Sequence, residues 1–82
     1  MLHPGHESKD ELRVLTEIIQ GQLRSARHEK GENLNSIIEG LRWNLSMLQK
    51  MEGTFELVYD EPLSISEPLI EEYLEIKKLL GI

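Results

Sequence analysis

The sequence predicts an all-α protein: an antiparallel helical hairpin, a short extended segment and a C-terminal helix, assembled as a dimeric helical bundle. Three observations carry this. Apolar residues recur at helical spacing in two long stretches. Only a few residues separate those stretches, which forces antiparallel neighbours. A third amphipathic stretch follows a Pro-containing break.

The first helix is expected over about residues 9–30. Leu12, Leu15, Ile19, Leu23 and Ala26 form its stripe. Ser8-Lys9-Asp10-Glu11 has the form of a capping box, which places the start at Ser8. Residues 1–7 read as a flexible tail, because Pro4 and Gly5 interrupt structure. Arg24, Arg27, His28 and Lys30 suit the negative end of the helix dipole, and Gly31 is placed to end the helix.

The second helix is expected to start at an Asn33 or Asn35 cap and to end at Gly53. Its stripe is Leu34, Ile37, Ile38, Leu41, Leu45, Leu48 and Met51. The two stripes match level by level, Ala26 with Leu34, Leu23 with Ile38, Ile19 with Leu41, Leu15 with Leu45 and Leu12 with Leu48. The hairpin thus spans 8–53 of a single domain, 1–82. Thr54-Phe55-Glu56-Leu57-Val58-Tyr59 is β-prone and alternates in part, so 54–65 reads as an extended connector. Ser66 is placed to cap a third helix over 66–81, with Pro68 in its first turn and Gly81 at its end.

Each hairpin helix also carries a weaker second stripe, turned roughly 140° from the first. On the first helix it is Val14, Ile18 and Gly21; on the second it is Gly40, Trp43 and Met47. Antiparallel geometry puts both on one side of the hairpin. These six residues are the candidate interface. Either the third helix covers them or another chain does, and Trp43 is the natural anchor.

Composition narrows the function classes. The 82 residues carry 15 acidic and 9 basic side chains, a formal net charge of −6. That balance disfavours general nucleic-acid binding and attraction to anionic lipid. There are no cysteines, hence no disulfide and no thiolate metal site. No apolar run approaches the roughly 20 residues that span a bilayer. Met1 to Glu7 lacks the charged and apolar regions of a signal peptide, so a cytoplasmic location is expected. A chain of this length buries only about 60% of its unfolded surface, which makes association a natural source of stability.

Few residues suggest chemistry. His3 and His6 are close enough to share a metal, but a solvated pair in a tail is the simpler reading, and no metal or cofactor is expected. Zinc-protease and di-iron spacings are absent, and no phosphate-binding glycine loop occurs. His28-Glu29, followed by Leu34-Asn35, Ile37-Ile38 and Gly40, resembles the phospho-accepting box of sensor histidine kinases. Lys50-Met51-Glu52-Gly53-Thr54-Phe55-Glu56-Leu57 is similar to the segment that ends that family's dimerisation domain. The resemblance implies His28 as phospho-acceptor, with Glu29 orienting it or accepting its proton. Asn33 stands where that family has proline, and the long second helix between the two segments is missing.

Nothing else brings a nucleophile, a base and a stabilising site together, so no enzyme is expected. The leading expectation is a small protein-interaction module: a regulator, adaptor or accessory subunit that pairs with itself, another protein, or both. Histidine phosphotransfer at His28 is the first alternative. A nucleic-acid-associated regulator, using the basic end of the hairpin, is the second.

Overall fold

The structure, a computed structural model, describes residues 4–60 and 64–81; side chains are described from residue 10 onward, without those of 58 and 59. Three helices, α1 (Pro4–Ala26), α2 (Gly31–Tyr59) and α3 (Ser66–Leu80), account for all regular structure among the described residues. The all-helical class and the three-helix order agree with the expectation. The molecule is a flat slab, 45 × 22 × 15 Å.

Both ends of α1 differ from the sequence reading. It begins at Pro4, so residues 4–7 are helical rather than tail, and Ser8 lies within the helix rather than ahead of it. Proline suits a first helical position, where its fixed φ is already helical and its missing N–H loses no bond. The helix stops at Ala26, four residues early. The amides of Arg27, His28 and Glu29 then donate to the carbonyls of Arg24 and Ser25, tightening the last turn.

Gly31 opens α2 instead of closing α1. Its φ of +65° lies in the left-handed region, where a side chain would be strained. Asn33 and Asn35 fall inside α2, and the residue before the helix, Lys30, makes no side-chain cap.

The largest difference concerns residues 54–59, which continue α2 rather than form a strand. Gly53 therefore sits mid-helix. Phe55 accounts for this: it continues the periodicity of Leu41, Leu45 and Leu48 and is only 2% exposed. Burying such a ring stabilises by about 2–3 kcal/mol, which outweighs the roughly 0.5–1 kcal/mol cost of an interior glycine. Thr54 meets its hydroxyl's need inside the helix by donating to the Lys50 carbonyl at 3.0 Å. The helix ends at Asp60, whose φ of 51° is a left-handed cap that aspartate tolerates. Residues 61–63 of the expected connector lie outside the described residues.

The core is the expected one. Leu12, Leu15, Ile19, Leu23 and Ala26 of α1 pack with Leu41, Leu45 and Leu48 of α2, flanked by Leu34, Ile37, Ile38 and Met51. Leu69, Tyr73 and Ile76 of α3 join the same cluster.

A carboxylate on α2 fixes where α3 begins. Glu52, 9% exposed, lies in phase with the buried stripe. Its Oε2 accepts the backbone N–H of Ile65 at 2.8 Å and of Ser66 at 3.0 Å, while its Oε1 accepts the Ser66 hydroxyl at 2.8 Å. The sequence reading makes Ser66 an accepting cap; instead it is the first residue of α3 and donates. Glu52 takes the capping role from another helix. It satisfies amide groups that the helix cannot bond itself, and its charge complements the helix dipole. At the other end, Arg27 Nη2, just past α1, lies 3.7 Å from Glu72 Oε2 of α3, an exposed pair that adds little stability. Gly81 closes α3 in a left-handed conformation, as expected.

Urea unfolding checks both placements on α2. Glu52→Ala, which strands a buried hydroxyl and two amides, is expected to cost about 2–3 kcal/mol. Gly53→Ala is expected to stabilise by about 0.5–1 kcal/mol, because an added Cβ there meets nothing within 4 Å. A destabilising Gly53→Ala would mean that α2 does not continue past this point.

Candidate interaction face

The second stripe stays uncovered within the chain. Val14 is 50% exposed, Ile18 49%, Met47 50% and Trp43 70%. Helical phase explains this. The chain enters α3 on the other flank of α1, where Leu12, Thr16, Glu17, Gln20 and Phe55 line one concavity with Ile65, and Glu72 of α3 meets Arg27 just past the end of α1. At 100° per residue, Ile18 points roughly 160° and Val14 roughly 120° away from Gln20. Burial of Trp43 beneath α3, the alternative left open by the sequence, does not occur.

The candidate face is partly convergent. Val14, Ile18 and Met47 line one shallow groove of about 390 Å³ together with Leu15 and Met51, with Asp10 and Glu11 at its end. Trp43 stands on the outer edge of α2 beside Glu39, Arg42 and Ser46, and does not line that groove. Gly21 and Gly40 are half-buried. The side-chain amide of Gln22 crosses between the helices: its Nε2 sits 2.8 Å from where a Gly40 Cβ would be, and its Oε1 accepts from Asn44 Nδ2 at 2.9 Å. Gly40 thus makes room for Gln22, a local role the sequence does not suggest.

The residues singled out for chemistry lie apart. His28 is exposed in the turn between α1 and α2. Glu29 Oε2 accepts a long, weak bond from Asn33 Nδ2 at 3.4 Å. Among the described residues no three His, Cys, Asp or Glu side chains are placed to share a metal ion. The side chains of His3 and His6 lie outside the described residues. Among the described residues no helix is long and apolar enough to cross a membrane. Of the basic cluster, Arg27 faces Glu72, while Arg24 and Lys30 are exposed.

Sequence reasoning misses two features. The first is Glu52, whose signal is available: a carboxylate in phase with a leucine stripe demands a buried partner. The second is a patch on α3. Leu74, Leu79 and Leu80 are exposed there, as is Leu57 of α2.

In comparisons with known proteins, no family model, no curated protein and no solved structure matches this chain.

The exposure of the face is open to direct measurement. Ile18→Ser and Met47→Ser are each expected to change the stability of the dilute chain by no more than about 0.5 kcal/mol, whereas Leu41→Ala should cost about 2–5 kcal/mol. Comparable costs at positions 18 and 41 would mean that α3 or the chain termini cover the groove.

Proposed function

We propose that this chain is a protein-interaction module, a regulator, adaptor or accessory subunit, that works by binding through the uncovered face of its hairpin. The assembly is with a second copy, another protein, or both. The observation that supports this most is that Val14, Ile18 and Met47, each about half exposed, line one groove of the hairpin, with Trp43, 70% exposed, on the outer edge of α2. Covering the half of each side chain that remains wet is worth about 1 kcal/mol apiece. A small domain gains from leaving such a surface open only if something occupies it. Apolar and aromatic groups inside a charged rim are the common composition of a binding patch. The rim here is Asp10, Glu11, Glu39 and Arg42.

A photo-crosslinking amino acid at position 47 tests this reading. In cell extract and with purified chain, it is expected to form discrete adducts, with itself or with another protein. The same group at Glu75, exposed on α3, should form far fewer. Equal, diffuse labelling from both positions would contradict the proposal.

A further inference from the structure

We infer that α3 is a detachable arm: it leaves and rejoins the hairpin as one unit while the hairpin stays folded, and the Glu52 carboxylate is the latch that sets how often it is open. The inference concerns the flank that α3 covers and does not depend on what binds the open groove.

Burial divides the molecule into two tiers. The largest side chains wholly shielded from water, Ile19, Leu23, Leu41 and Leu48, all belong to α1 and α2. Those helices have 23 and 29 residues and pair along most of their length. α3 has 15 residues and sets Leu69, Tyr73 and Ile76 against them, while Leu74, Leu79 and Leu80 stay exposed. A helix of that length is marginal in water by itself, so α3 needs its docking site to stay helical. An element with few buried apolar groups opens before the core does.

The contact that fastens the start of α3 is polar, and water can replace all of it. Glu52 stands in phase with Leu41, Leu45 and Leu48, where an apolar residue would extend the core. Its donors, the amides of Ile65 and Ser66 and the Ser66 hydroxyl, all come from the segment that opens α3. Docked, the carboxylate is buried and held by three donors. Undocked, it is a hydrated charge on the surface of the hairpin. A leucine at this position would be left wet on opening; glutamate is satisfied in both states. Arg27 and Glu72, at the far end, are already exposed, so breaking that pair costs little.

Opening uncovers a defined surface. Ile65 shares one concavity with Leu12 and Phe55, and Ile76 shares another with Ala26 and Leu34. Those four hairpin residues become accessible together when α3 leaves. The hairpin then has one apolar flank open at all times, through Val14, Ile18 and Met47, and a second open only when the latch releases.

Native-state hydrogen exchange of the full chain, followed residue by residue in increasing urea, tests this. Amides of residues 73–79 are expected to be protected about 30-fold less, or weaker still, than those of Ile19, Leu23, Leu41 and Leu45. Their protection should also fall less steeply with urea, because a smaller surface is exposed. Glu52→Ala should lower α3 protection about 30-fold or abolish it, with the hairpin amides still protected. Leu15→Val, in the groove away from Ile65 and Ile76, should lower hairpin protection about 3–10-fold and leave that of α3 within about twofold. The comparison of urea slopes needs no variant, so it holds even if one of them fails to fold. A single protection and slope shared by all three helices would overturn the inference. So would α3 amides that follow the hairpin in Leu15→Val, or that are indifferent to Glu52→Ala.

Discussion

The arrangement of this protein depends on one carboxylate. Glu52 gives the start of α3 what a helix start lacks, an acceptor for amides that have no partner within the helix. It also takes the hydroxyl of Ser66, so the buried carboxylate is held by three donors. A carboxylate buried without donors would cost several kcal/mol, so the fold is committed to bringing α3 to this point. From there α3 runs back along the hairpin to the turn, where Ile76 and Leu79 share a concavity with Ala26 and Leu34.

Placing α3 on one side leaves the other side open. The hairpin core of Leu15, Ile19, Leu41 and Leu45 is closed by the two long helices themselves, and α3 adds Leu69, Tyr73 and Ile76 to one flank. With a single short helix available, only one flank can be covered. The groove of Val14, Ile18, Met47 and Met51 is what remains. Structure and proposed function thus share an origin: the same capping contact that completes the fold decides which surface stays open.

The hairpin is legible in the sequence because its signals agree. Two stripes at helical spacing, a turn too short for anything but reversal, and matching levels all specify one packing. The end of α2 is not legible because local signals oppose the tertiary one. Gly53 and the β-prone run from Thr54 to Tyr59 argue for a break, while burial of Phe55 in the common core argues for continued helix, and burial contributes more. Caps are misplaced for a related reason. Ser8, Asn33, Asn35 and Ser66 are good capping residues, but a cap can also come from a distant segment, and local sequence does not record that. The side of the hairpin to which α3 docks is equally hidden, since its apolar face is broad enough to fit either flank.

The position of α3, held by Glu52 on the flank away from Val14, Ile18 and Met47, is tested most directly by nuclear Overhauser contacts in the dilute protein. Contacts are expected from Ile65 to Leu12 and Phe55, and from Ile76 to Ala26 or Leu34, with none from α3 to the side chains of Val14, Ile18, Met47 or Trp43. Contacts from Tyr73 or Ile76 to those four residues would contradict this placement.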